Sequence, residues 1–158
     1  MKTEKGLYHY RGCALPNVYL SGGYEIQKTP YGEGIVIHNL EGLHAAIGSA
    51  IVANGAALTG AEFRFLRQEL ELSQASLGAL IGCDEQTVAR WEKGNTKVNL
   101  MGDKFLRVLY QQAKMGAKPL APALKILQDL ECRPPEPKNL LVNVSDSRWE
   151  AQFRAKSA

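Results

Sequence analysis

The sequence predicts an α+β protein in which a small sheet-and-helix segment precedes a longer all-helical one. Three observations carry this reading. Residues 8–39 set short apolar stretches between glycine- and proline-centred turns, and residues 59–130 repeat apolar side chains every three or four positions. Residues 133–137, RPPEP, then break the helical pattern.

The first segment reads as a small antiparallel sheet plus one helix, a domain over residues 1–57. Val18 and Leu20 are followed by Gly22-Gly23. Tyr24 and Ile26 lead into a Pro30-Tyr31-Gly32 turn, and the apolar run 35–37 follows. Asn39 can cap a helix in which Leu43, Ile47 and Ile51 recur every fourth residue, ending near Asn54-Gly55.

The second segment, residues 58–132, reads as five helices. Thr59 and Glu62 have capping-box spacing, in which each side chain satisfies the other's backbone donor, and Phe63, Leu66 and Leu70 mark the buried stripe of the first helix. Ser73 caps the second helix and Asp84 the third, and Gly94 stands where the third must stop. A fourth helix over about 101–114 turns Phe105, Leu109 and Leu106 inward. A fifth starts at Pro119 to Pro122 and carries Leu124, Leu127 and Leu130. Residues 133–158 read as a Pro-rich linker and a short C-terminal tail, with an apolar patch (Leu140, Leu141, Val142, Val144) and an amphipathic turn around Trp149 and Phe153.

Composition narrows the function classes. A chain of 158 residues, 45% hydrophobic and 22% charged, can bury one core or two small ones. No apolar run approaches the ~20 residues that span a bilayer, and the opening MKTEKGLYHYRGC lacks a signal-peptide core, so a cytoplasmic protein is expected. Three dispersed cysteines, Cys13, Cys83 and Cys132, suit reduced thiols better than a disulfide framework. The net charge of +3 is unevenly placed: residues 59–110 hold seven basic and seven acidic side chains, and the excess lies in residues 111–158. Any affinity for nucleic acid must then come from a few well-placed cations and backbone amides. No nucleophile elbow, phosphate loop, metal triad or pair of catalytic carboxylates is present, so no enzymatic role and no cofactor is expected.

The most specific stretch is QASLGALIGCDEQTVARWEK, residues 74–93. Leu77, Ile81, Val88 and Trp91 fall where two short helices turn inward onto a third. Gly78 allows close backbone approach, and Gly82 supplies the positive φ of a tight inter-helix turn. With LRQELELSQASLGALIGCDEQTVARWEKG as its signature, the segment 59–110 resembles the Cro/XRE-like, phage-repressor type of helix-turn-helix. The resemblance implies sequence-specific binding in the major groove of double-stranded DNA, by a homodimer. It makes residues 85–93 the recognition helix, with Glu85, Gln86, Thr87, Ala89 and Arg90 reading bases. Gln74, Lys93, Asn95 and Lys97 would then contact the sugar-phosphate backbone. It also implies a largely buried, structural ion pair between Arg67 and Glu92.

The sheet-containing segment ahead of this motif is similar in architecture to the MqsA-type antitoxins, which repress their own promoters and neutralise a toxin. A protein partner of that kind is the alternative to a plain repressor. Those antitoxins hold zinc through two Cys-x-x-Cys pairs, and this chain has a single cysteine before residue 83, so no metal site is carried over. His9, Cys13, His38 and His44 are the remaining ligand types there, and dispersed histidines of this kind are ordinarily surface or core residues. Tyr8, Tyr10, Tyr19, Tyr24 and Tyr31 are expected to pack the sheet, or to serve an interface.

Overall fold

The computed structural model describes residues 6–114 and 138–156. It divides the chain into two compact units. One holds the described residues up to Ala50 together with those from Lys138 onward; the other begins at Ile51 and is described as far as Lys114. The second is therefore an insertion in the sequence of the first. The expected fifth helix at 119–130 and the Pro-rich stretch 133–137 lie outside the described residues.

The first unit contains strands β1 (Tyr8–His9), β2 (Val18–Leu20), β3 (Tyr24–Thr29), β4 (Gly32–Ile37), β5 (Lys138–Ser145) and β6 (Arg148–Ala155), and helix α1 (Leu40–Ala53) runs out of it. The α+β class holds, but the sheet is completed differently from the expectation. β1, β2, β5 and β6 form one mixed sheet in that order, and β3 and β4 form a separate hairpin. β2 pairs antiparallel with β1 on one side and parallel with β5 on the other, Val18 facing Leu140 and Leu20 facing Val142. These four side chains are all but fully buried, on one face, with Leu43 and Ile47 of α1 equally buried. The segment read as a tail is thus two strands of this sheet. Trp149, expected in an amphipathic turn, lies in β6, and its indole N–H reaches the carbonyl oxygens of His38 and Asn39, 3.0 Å from each. Asn39 caps α1, its side chain accepting from Gly42 N–H at 3.0 Å.

The second unit contains α2 (Gly60–Glu69), α3 (Gln74–Ile81), α4 (Glu85–Glu92) and α5 (Leu100–Lys114). The capping box of α2 is formed: Glu62 N–H donates to Thr59 at 3.1 Å and Thr59 N–H to Glu62 at 2.9 Å. Phe63, Phe65, Leu66, Leu77, Val88, Trp91, Leu106 and Tyr110 make its core, with Phe63 and Trp91 in edge-to-face contact at 5.6 Å. On α5 the inward stripe differs from the expected one: Leu106 and Tyr110 are buried, and Phe105 is 38% exposed.

That rotation of α5 brings Asp103 and Arg107, one helical turn apart, into the interior. Arg107 Nε donates to Asp103 Oδ1 at 2.5 Å. Its Nη1 reaches the carbonyl oxygens of Ile51, Val52 and Asn54, and its Nη2 that of Ala56 at 2.7 Å. Asp103 Oδ2 accepts from Leu58 N–H at 2.7 Å. A planar cation thereby serves the last carbonyls of α1, at its electronegative end, where Ile51 carbonyl also accepts from Asn54 N–H at 3.2 Å. Arg107→Met should lose ~3–5 kcal/mol of stability in urea denaturation, since Asp103 and the carbonyls would stay buried without their donor. Arg107→Lys should recover little of it, because one ammonium cannot span the carboxylate and the carbonyls together.

Candidate nucleic-acid interface

Two short helices and a tight turn build the surface. Ser73 caps α3, its hydroxyl accepting from Ser76 N–H at 2.9 Å, and Asp84 caps α4, accepting from Thr87 N–H at 2.6 Å. Between them Gly82 has φ +86°, the left-handed conformation that costs glycine nothing. Its N–H and that of Cys83 both donate to Gly78 carbonyl, at 2.8 and 2.9 Å. A Cβ on Gly78 would sit 2.7 Å from Cys83 carbonyl oxygen, so backbone runs against backbone here and any larger residue must push the turn away. α4 ends in a Schellman motif: Gly94 has φ +74° and donates to Trp91 carbonyl at 3.1 Å, and Asn95 N–H donates to Arg90 carbonyl at 3.0 Å.

On α4, Val88 (0% exposed) and Trp91 (5%) face the interior. Glu85, Gln86 and Arg90 are exposed, and Thr87 and Ala89 lie half-buried at the edges of the same face. Lys93, Asn95 and Lys97 are exposed just beyond the helix. The nine residues singled out for DNA contact thus fall on α4, the turn after it and, for Gln74, the first turn of α3.

Behind that surface, Arg67 of α2 meets Glu92 of α4 in a bidentate pair, Nε to Oε1 at 2.5 Å and Nη2 to Oε2 at 3.0 Å, with side chains 10% and 4% exposed. Arg67 Nη1 also donates to Leu72 carbonyl at 2.6 Å. Gln74 Nε2 donates to Glu92 Oε2 at 2.8 Å. One amide donor of Gln74 is therefore spent within the protein. Its backbone N–H opens α3, where a helix has no internal acceptor to offer. Gly60, which sequence reasoning passed over, begins α2 so close to the carbonyls of Trp91 and Glu92 that a Cβ could not be accommodated. Asp103 and Arg107 were also missed, because a charged pair at i, i+4 on a helix ordinarily reads as a solvated face.

The dispersed histidines of the first unit sit in separate interactions. His9 stacks on Tyr19 and its Nε2 lies 3.0 Å from Pro16 carbonyl, His38 faces Glu25 at 3.3 Å, and His44 Nε2 lies 2.9 Å from Tyr10 hydroxyl. Among the described residues no group of three or more His, Cys, Asp or Glu side chains is placed to hold a metal ion. Of the tyrosines, Tyr10 is buried, Tyr8 packs against Tyr24 at 5.2 Å, and Tyr31 stands 99% exposed at the tip of the β3–β4 hairpin.

Two carboxylates at helix starts titrate in opposite senses. Bonds from Thr87, with a weaker pull from Arg90, hold Asp84 below its ordinary value, so its stabilising contribution is complete above that value and is lost as pH falls through the lower one. Burial pushes Glu62 up against the pull of Thr59, so its relative contribution is complete below the ordinary value and declines as pH rises. Asparagine caps a helix about as well as aspartate. Asp84→Asn should consequently leave the Tm near neutrality unaltered while narrowing the difference between neutral and acidic Tm; an unaltered difference would mean the Asp84 cap is not what titrates. Glu92→Gln should lower stability by ~3–5 kcal/mol, because Arg67 would remain buried without its countercharge.

The helix-turn-helix family model matches residues 63–101, from α2 to the start of α5, and no curated protein and no solved structure matches the chain. No helix among the described residues is long and apolar enough to cross a membrane. With its caps, its two left-handed glycines and its outward α4 face, the matched segment is a DNA-binding helix-turn-helix of the Cro/XRE type.

Proposed function

We propose that the protein is a sequence-specific transcriptional regulator, a repressor that binds a pseudo-palindromic operator as a homodimer. The observation that carries this is the division of α4: its two large apolar side chains are locked inside, leaving Glu85, Gln86 and Arg90 to project from a helix narrow enough for a major groove. Arg90 suits the O6 and N7 acceptors of guanine, Gln86 suits adenine, and Glu85 can accept from the amino group of cytosine. Thr87 and Ala89 offer small apolar contacts beside them. Gln74, Lys93, Asn95 and Lys97 hold the sugar-phosphate backbone and set the register. In a dimer the two α4 helices would sit about 34 Å apart, one turn of DNA.

Charge placement makes the binding selective more than strong. Arg67 and Arg107 are buried in ion pairs, which leaves Arg90, Lys93 and Lys97 as the cations on or beside α4, against Asp84 and Glu85. Fluorescence anisotropy on DNA upstream of the protein's own gene, compared with scrambled DNA across a salt series, should show a shallow salt dependence and a preference well above roughly tenfold. Arg90→Ala should lose ~1–3 kcal/mol on the preferred site and little on scrambled DNA. Lys97→Ala should weaken both alike and reduce the salt slope by about 1 per protomer. Equal losses for Arg90→Ala on both DNAs would relegate Arg90 to backbone contact, and no preference for any site would overturn the reading.

A further inference from the structure

β6 is a regular edge strand whose outer side is uncovered among the described residues. Its eight residues pair without interruption with β5, from Lys138 opposite Ala155 to Ser145 opposite Arg148. It contains no proline and no bulge, two of the devices that keep an edge from pairing; its charges, Arg148, Glu150 and Arg154, are of both signs.

The outward-facing groups can be assigned. Leu140 donates its N–H to Asn17 carbonyl at 2.7 Å, and Val142 carbonyl accepts from Ser21 N–H at 2.9 Å, so even-numbered residues of β5 turn their main-chain groups to β2 and odd-numbered ones to β6. Asn139, Leu141 and Asn143 stand opposite Arg154, Gln152 and Glu150. Those three residues of β6 are therefore bonded to β5, while Trp149, Ala151 and Phe153 present N–H and C=O to the open side. Side chains alternate likewise: Trp149, Ala151 and Phe153 lie on the face of buried Leu140 and Val142, and Arg148, Glu150, Gln152 and Arg154 on the other.

We infer that this edge pairs with the same edge of a second copy of the chain, antiparallel and centred on Gln152, making one sheet continuous across a two-fold axis. The inference rests on the homodimer of the preceding section and names its surface. Side chains opposite one another in an antiparallel pair share a face, which restricts the centre of symmetry to a residue. Centred on Glu150, two carboxylates would meet, and centred on Ala151, Arg148 would oppose Arg154. Centred on Gln152, Glu150 stands opposite Arg154 of the second copy, twice by symmetry. Ala151 then faces Phe153 and Trp149 faces Ala155, extending the apolar face. Trp149, Ala151, Phe153 and Ala155 supply the main-chain hydrogen bonds, and the Glu150–Arg154 pairs fall at the non-hydrogen-bonded positions, where side chains approach most closely.

Sedimentation velocity on the full chain tests this. Ala151→Pro removes an outward N–H and none that bonds β5; Glu150→Arg places two arginines opposite each other, and the swap E150R/R154E restores opposite charges. Both single variants should weaken dimerisation by roughly tenfold or more while the unfolding midpoint, compared at dilutions where the chain is monomeric, stays close to that of the wild type, and the swap should return dimerisation toward the wild-type value. Should Ala151→Pro fail to fold, the exposed charge variants decide alone. A wild-type dimer indifferent to Glu150→Arg would overturn the β6 edge and leave the homodimer intact. A wild-type chain that stays monomeric, with or without DNA, would overturn both, while base reading by α4 would still be judged by anisotropy.

Discussion

The bond between Arg67 and Glu92 is the constraint on which the outward face of α4 depends. Arg67 is held to α2 by its own backbone, to the α2–α3 connection through Leu72 carbonyl and to α4 through both carboxylate oxygens of Glu92. Glu92 returns a further bond to α3 through Gln74. Three helices thus meet at one fork of hydrogen bonds. A buried ion pair adds little net stability over well-packed apolar residues, but its planar, bidentate geometry tolerates few relative orientations. What it fixes is direction: with Glu92 held, the helical period sets where Glu85, Gln86 and Arg90 point.

The Arg107 cluster applies the same chemistry at another place in the unit. There a buried guanidinium gathers the carbonyls of Ile51, Val52, Asn54 and Ala56, and Asp103 balances its charge while holding Leu58 N–H. The connection into α2 is thereby ordered without regular secondary structure from Asn54 to Leu58, because its polar main-chain groups find partners on α5. Both arginines are withdrawn from the surface. Residues 59–110, with equal numbers of basic and acidic groups, therefore keep Arg90, Lys93 and Lys97 as the exposed cations on or beside α4.

Much of the helical unit was legible because its signals are local. Capping residues, the left-handed glycines Gly82 and Gly94, and the spacing of Val88 and Trp91 each act within a turn or two of chain. The Asp103–Arg107 pair was not legible, since a charged pair at i, i+4 ordinarily marks a solvated face and here marks the core. The inversion moved Phe105 outward and Tyr110 inward. The β5–β6 hairpin escaped for a different reason. Its turn, Asp146-Ser147, has φ +48° and +63°, a mirror-image geometry normally announced by Asn-Gly, and no glycine marks it here.

The sheet of the first unit was the least legible part because its central pairing joins residues more than a hundred apart in sequence. β2 has only three residues, and the full burial of Val18 and Leu20 requires cover that β1, two residues long, cannot give alone. Leu140 and Val142 provide it in parallel register, which demands a long connection between the strands. The helical unit lies within that connection. Because the entropic cost of closing a loop grows only with the logarithm of its length, about 0.6 kcal/mol per doubling, lodging a folded unit between two paired strands costs little more than a short crossover would. The sheet can accordingly be split in sequence without being weakened in space, and the strand that completes it, β5, is the one that carries β6 to its edge.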